Sequence, residues 1–301
     1  MRILISGATG LVGTALDEAL RAEGNDVRRL VRAKGTARAG DVEWHPASGR
    51  VDTGAMEGAD AVVCLGGESV AGGRWTEERK KLLRTSRVDA TRVLVEAVGR
   101  MKQKPKVFVA ASAIGIYGHR GEEDLTETSG PGNDFLAVLA RDWEAAATQA
   151  ESSGIRAVCL RFGVILSTRG GALPRMLTPF KLGAGGRLGS GKQWMSWIAL
   201  EDAVGIVRAA IADERIRGPV NVVAPNPVRN DEFTRVLARV LHRPAVFPAP
   251  AFMLRLMLGE MADALLLSSQ RVRPVRMMEA GYQFKTADLE SALRSIIRGG
   301  S

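Results

Sequence analysis

The chain reads first as an alternation of two hydrophobic rhythms. RILIS (2–6) is a short apolar run that predicts a buried strand. After GATGLVG an amphipathic helix runs to about Glu23, where Gly24-Asn25 closes it. VRRLVR (27–32) and DAVVCLGG (60–67) predict further strands. From Thr76 to about Arg100 the pattern is helical, with charges on one side and Leu82, Leu83, Val93, Leu94 and Val98 on the other. KVFVAAS (106–112) reads as a strand, 135–152 as a helix and IRAVCLRFG (155–163) as a strand. Strands alternating with helices predict an α/β fold with a doubly wound, parallel sheet.

The texture changes after residue 163. Glycines crowd 170–171 and 183–191, and prolines recur at 219, 225, 227, 244, 248 and 250. Such loops carry binding groups on a scaffold. The last region, 226–301, shows two helical stretches and reads as a small domain laid over the sheet. The expected division is a nucleotide-binding Rossmann domain at 1–165, to which 200–225 returns. A substrate domain is then built from 166–199 and 226–301.

Composition narrows the function classes. At 301 residues, 46% hydrophobic and 25% charged, the chain is long enough for one large domain or two joined ones. The formal charge of +9 suits an anionic small molecule better than nucleic acid. The arginines are spread along the chain, and stacking platforms for single strands are missing. Cys64 and Cys159 lie in apolar runs and read as buried thiols, with no metal-ligand spacing and no disulfide framework. MRILISGATG is a strand entering a turn, and no run of 18 or more apolar residues follows, so the reading is a cytoplasmic protein without membrane spans.

Gly7, Gly10 and Gly13 form G-x-x-G-x-x-G between a strand and a helix. Glycine is needed where the turn is tight and the backbone must approach a pyrophosphate. The backbone of Gly7, Thr9, Gly10, Leu11, Val12 and Gly13 is therefore the expected phosphate cradle, with the helix N-terminus behind it. The second strand ends in Val31 and Arg32, with no acid to bind a ribose 2′-hydroxyl. A guanidinium there suits a 2′-phosphate, so the expected cofactor is NADP(H) with Arg32 as the contact. A solvated surface arginine is the alternative, and the one preferred for Arg28.

With the glycine turn, DAVVCLGG and SAIGIYG (112–118), the chain resembles an extended short-chain dehydrogenase/reductase. DFLAVLARDWEAAA (134–147), LRFGVILSTRGGALPRML (160–177), LGSGKQWMSWI (188–198), GPVNVVAPNPVRNDEFT (218–234) and RPAVFPAPAF (243–252) resemble the atypical epimerase family, whose members are similar to nucleoside-diphosphate-sugar epimerases. The terminal SSQRVRPVRMMEAGYQFKTADLESAL resembles that family's small C-terminal domain. The resemblance implies that Leu65, Gly66 and Gly67 pass the ribose and phosphate side of the cofactor. It places Phe162, Gly163 and Val164 beside the nicotinamide, and Arg87 where the fourth helix approaches. Glu68 follows the Gly66-Gly67 turn as a base or a polar lid contact. Arg87 is equally readable as a helix-surface charge. Relatives commonly show W-I-H where this chain has Trp197-Ile198-Ala199.

Hydride transfer in that superfamily uses a Ser or Thr, a Tyr and a Lys, with the lysine bringing the phenol into a useful range. Aligning Glu144 with the acid that often follows Y-x-x-x-K puts Leu136 and Ala140 at the two positions, and a slip of one residue gives Phe135 and Leu139. No slip recovers the pair. The remaining catalytic candidates are Ser112, at a strand end, and Tyr117, which is also readable as a structural or substrate-wall residue. His119 is the best placed of the histidines, and Gln193, Trp194 and Trp197 read as substrate walls. Two functions stay open. One is an NADP(H)-dependent oxidoreductase or epimerase-like enzyme acting on a small polar substrate, nucleotide-linked in one form. The other is a non-catalytic NADP(H)-binding regulator or redox sensor, since some family relatives are linked to cell or plastid division. A monomer or homodimer is expected, extended relatives often pairing through helices like 76–100 and 135–152.

Overall fold

The structure is a computed structural model that describes residues 1–32, 38 and 40–299. Its centre is an eight-stranded sheet. β1 (Arg2–Ser6), β2 (Asp26–Val31), β3 (Val42–His45), β4 (Arg50–Val51), β5 (Ala61–Cys64) and β6 (Val107–Ala113) enter it in chain order. The short β7 (Asp124–Leu125) lies outside it, and β8 (Arg156–Phe162) rejoins. β9 (Val164–Leu166), β10 (Trp194–Met195) and β11 (Trp197–Ala199) form small ribbons, and β12 (Gly218–Val222) returns to the sheet edge. The order is β12-β8-β6-β5-β1-β2-β3-β4, parallel except for the β3–β4 hairpin. The strand order reverses between β1 and β5, the point where open α/β sheets bind ligands.

Strand residues alternate between two buried faces. Ile3, Ile5, Val63, Val109 and Leu160 pack under helices α1 (Leu11–Ala22) and, later in the chain, Leu200–Ala212. Leu4, Val62, Phe108, Ala110 and Cys159 face the other way, with residues of the helix spanning Ala90–Arg100. A sheet buried on both sides requires this near-continuous apolar strand sequence. Both cysteines are free and buried.

The remaining helices are α2 (Thr53–Met56), α3 (Glu77–Arg84), α4 (Ala90–Arg100), α5 (Phe135–Thr148), α6 (Leu173–Lys181), α7 (Leu200–Ala212) and α8 (Asn230–Leu241). The stretch expected as one helix over 76–100 is interrupted by a π-helical turn at Thr85–Asp89, a kind of widening frequent at functional sites. A third core joins α6 and α8 to the C-terminal segment through Leu173, Leu177, Phe180, Phe233, Leu237 and Leu293.

Beyond β13 (Val228–Arg229) the C-terminal region holds more structure than the two helical stretches expected. α9 (Ala251–Leu258), α10 (Glu260–Ala262), β14 (Arg271–Val272), α11 (Val275–Glu279) and α12 (Leu289–Arg298) follow α8. Three of these helices have eight residues or fewer, too short for a clear period of 3.6. No helix among the described residues is long and apolar enough to cross a membrane.

Candidate cofactor and active site

The loop after β1 meets the loop after β5. A Cβ on Gly7 would lie 2.7 Å from Gly66 N and from Leu65 C, and its φ of +77° is a left-handed value that glycine adopts freely. A Cβ on Gly13 would lie 2.2 Å from Gly7 O. Thus two of the three motif glycines are required by close backbone approach. Gly10 caps α1 without a side-chain hydrogen bond, and the first turn carries no acid. Thr9 and Gly10 are exposed and Leu11 and Val12 half-buried, so the uncapped N–H groups open towards solvent at the switch point. Gly170 and Gly171 come down on Leu11 from the loop after β9, and Arg169 pairs with Glu18 at 2.8 Å. This cradle, which side chains would fill, fits a dinucleotide pyrophosphate.

Val31 is buried and Arg32 exposed at the end of β2. Arg28 pairs with Asp26, and Arg29 is held inward by Asp41. Arg32 is therefore the guanidinium of this strand that points free of those pairs.

Arg87 sits on the π-helical turn beneath Gly67, whose Cβ would stand 3.1 Å from Arg87 Cζ. It donates to Glu68 O (2.7 Å) and Leu83 O (3.2 Å) and lies over the Trp143 ring at 5.3 Å. Burial pushes its guanidinium down to about 10, against the attraction of Glu68 and with the repulsion of Arg79. Among the described residues no carboxylate forms an ion pair with it. Such a cation, a few ångströms from the Gly66-Gly67 turn, is not the solvated surface charge that was its alternative reading. Glu68 turns instead towards Arg79, 3.7 Å away. Gly163 lies against Ser196 O and Val223, while Val164 begins β9 half-exposed.

Register brings the chemistry together. Ser112 on β6 is the direct partner of Arg161 on β8. Residues 136, 140 and 144 share one face of α5, so the Leu136 and Ala140 of the Glu144 alignment lie on the same side as that carboxylate, two turns and one turn before it. Ser112 Oγ donates to Glu144 Oε1 at 2.7 Å. Arg161 donates from Nε and Nη2 to the same carboxylate, each at 2.8 Å. Burial disfavours the Arg161 charge, but Glu144 and Tyr117 hold the guanidinium above its ordinary value.

Tyr117 is completely buried. Its one hydroxyl hydrogen lies between Asn221 Oδ1 (2.7 Å) and Thr126 O (3.0 Å), and its oxygen accepts from Arg161 Nη1 (2.9 Å). Burial pushes this phenol up, away from any useful acid–base range. Trp197 is likewise wholly buried and Gln193 nearly so, with the Gln193 amide donating to Leu188 O and Leu266 O. Trp197, with no exposed surface, cannot serve as the substrate wall expected of it. Trp194 is half-buried between the guanidiniums of Arg229 and Arg271. His119 is exposed, its Nδ1 accepting from Ser269 N at 3.1 Å.

Glu144, Arg161 and Asn221 were absent from the expected site. A signal existed for two of them. An arginine inside an otherwise apolar buried strand needs an acid, and an acid on the apolar face of α5 needs a cation.

A doubly wound parallel sheet with a glycine cradle at its switch point and a Ser–Glu–Arg cluster at its carboxyl edge defines a Rossmann-type protein, and comparison places it. The NAD dependent epimerase/dehydratase family matches residues 3–224, and a domain of unknown function, DUF1731, matches 249–296. The chain is 42% identical over 291 residues to epimerase family protein Mb2239 of Mycobacterium bovis, covering 97% of this chain and 96% of that one. It is 40% identical to epimerase family protein YfhF of Bacillus subtilis, covering 99% and 98%. Human epimerase family protein SDR39U1, solved with NADPH, superposes with a TM-score of 0.91 at 35% identity, over 99% of each chain. The chain belongs to the NAD dependent epimerase/dehydratase family.

Proposed function

We propose that this protein is an NADP(H)-dependent oxidoreductase in which Ser112, held by Glu144, takes the place of the missing Tyr/Lys pair. Gly7, Thr9, Gly10, Leu11, Val12 and Gly13 would hold the pyrophosphate, and Val31 and Arg32 the 2′-phosphate side. Leu65, Gly66, Gly67, Glu68 and Arg87 would line the ribose side, with Gly163 and Val164 beside the nicotinamide. The glycine cradle supports this reading, as does the similar human protein solved with NADPH. When bound, NADP(H) supplies or takes up the hydride.

The observation that carries the chemistry is the 2.7 Å hydrogen bond from Ser112 to Glu144. A substrate hydroxyl bonded to Ser112 Oγ would pass its proton to the serine as the serine proton moves to Glu144. Arg161 fixes the orientation of the carboxylate that receives it. The substrate we propose is small and polar, with a nucleotide-linked one among the options. Tyr117 is proposed as a positioning residue for Arg161 rather than as a proton donor.

A regulatory, non-catalytic reading is favoured by one observation. Both Glu144 oxygens already accept from Arg161, so the carboxylate is occupied within the protein. To separate the two, NADPH and NADH are titrated into the protein, and NADPH absorbance is followed against carbonyl compounds and nucleotide sugars. Turnover that disappears in Ser112→Ala and Glu144→Gln with NADPH binding retained supports the enzyme. Tight NADPH binding with no turnover across the panel supports the regulator, and absence of NADPH binding defeats both.

A further inference from the structure

Helix α9 is apolar on the wrong side for a helix of a lone chain. Its inward residues, Ala251, Leu254 and Leu258, are only half-buried. Its outward residues are Phe252, Met253, Leu256 and Met257, exposed by 68%, 47%, 75% and 67%. At the helical repeat these four point within an arc of about 140°, forming one continuous stripe. Val246 and Phe247, also largely exposed, stand on the segment that leads into the helix. That segment is not loose, since Phe247 N donates to Gly185 O (3.1 Å) and Ala249 N to Arg187 O (2.9 Å).

We infer that this stripe is the surface through which a second copy of the chain docks. Side chains of this size present about 150–250 Å² each, so the six leave on the order of 700 Å² of mainly apolar surface open. That exceeds the largest patch of an ordinary monomer, about 300–600 Å². It approaches the roughly 800 Å² that each partner contributes to a stable interface. The charges of this stretch are cancelled within the chain, Arg255 by Asp263 and Lys80 by Glu260. A two-fold axis across α9 therefore brings apolar side chains together without opposing like charges there.

The helix pair through which extended relatives often dimerise is a poorer face in this chain. Its outward positions carry Arg84, Arg92, Glu96, Arg100 and Arg141, all substantially exposed. The α9 interface would also adjoin the cleft rim, because Arg74, in the loop after β5, donates to Leu256 O at 3.0 Å.

Sedimentation equilibrium of the full chain from about 1 to about 100 μM tests the inference. Wild type is expected at twice the chain mass. The double variant Phe252→Glu with Leu256→Glu is expected at the single mass, with unchanged circular dichroism and thermal midpoint, since both side chains are exposed. A wild type that stays at single mass overturns the inference, as does a dimer indifferent to the two substitutions. So does a monomer that floats with phosphatidylcholine–phosphatidylglycerol vesicles and loses that binding in the double variant, because lipid would then be the occupant.

Discussion

Arg161 grips Glu144 with two hydrogen bonds of 2.8 Å, and the same carboxylate receives the hydroxyl of Ser112. Both charged side chains are nearly buried, at 8% and 13% exposure. Removing one partner of such a pair leaves a charge without its counter-ion, which typically costs about 3–5 kcal/mol. Arg161→Met is expected to lose stability of that order in urea denaturation. Combining it with Glu144→Leu is expected to recover much of the loss, because two apolar groups replace the pair. A single variant as stable as wild type would show that the pair is not a buried unit.

The glycine cradle gives a graded prediction. A Cβ at Gly13 would stand 2.2 Å from Gly7 O, whereas one at Gly10 would stand 3.3 Å away, on a backbone with φ of −78°. Gly13→Ala must move the start of α1 and is expected to weaken NADPH about 10-fold or more, equivalent to at least ~1.4 kcal/mol. Gly10→Ala should be much milder. NADPH fluorescence titration checks both, and equal affinities in the two variants would contradict the close-approach argument.

The proposed cofactor preference assigns the 2′-phosphate to one side chain. With Arg28 paired to Asp26 and Arg29 to Asp41, Arg32 is the strand-end guanidinium open to a 2′-phosphate. A charge-assisted hydrogen bond contributes about 1.5–3 kcal/mol, so Arg32→Ala should reduce the NADPH over NADH preference by about 10- to 100-fold. NADH affinity itself should hardly change. An unaltered preference would remove Arg32 from the site.

How far the sequence reaches follows from which interactions are local. The strands of the sheet and α1 are legible because their burial imposes continuous or periodic apolar patterns within one segment. Gly7, Gly10 and Gly13 are legible because the turn they serve is itself local. The Ser112–Glu144–Arg161 cluster is not, because it exists only once β6 and β8 pair in register and α5 crosses above them. Tyr117 shows the opposite limit. Its place five residues after Ser112 suggests access to the site, yet the intervening 3₁₀ turn at Ile114–Tyr117 turns it into the interior. In α9, apolar residues stand on every side of the helix, so no periodic pattern marks which of them face outward.

Acid should act on the pair beside β2. Burial pushes the Asp41 carboxyl up, but hydrogen bonds from the Arg29 side chain and from the backbone of Arg38 and Arg29 more than offset this, holding it below the usual carboxylate range. A carboxyl lowered in the folded state stabilises the fold above its unfolded value, and that stability is lost as pH falls through the folded one. Wild-type stability should therefore decline on acidification from about pH 5 downwards. Asp41→Asn should start less stable at neutral pH and show a shallower decline. Parallel pH profiles of thermal midpoint would exclude Asp41 as a contributor.

Tyr117 allows structure and catalysis to be told apart. Its hydroxyl accepts from Arg161, faces Asn221 and Thr126, and has no exposed surface. Tyr117→Phe leaves buried partners unsatisfied, which costs about 1–3 kcal/mol, and this should appear as a lower denaturation midpoint. Since the phenol does not reach the cleft and acts only through Arg161, kcat on any substrate found should fall far less than in Ser112→Ala, at a temperature where the variant is folded. Ser112→Ala should abolish turnover, and it removes only one of the hydrogen bonds on Glu144, which Arg161 still holds through both oxygens. If Tyr117→Phe instead removes turnover while the protein remains as stable as wild type, the phenol is the proton donor and the serine–glutamate route is wrong.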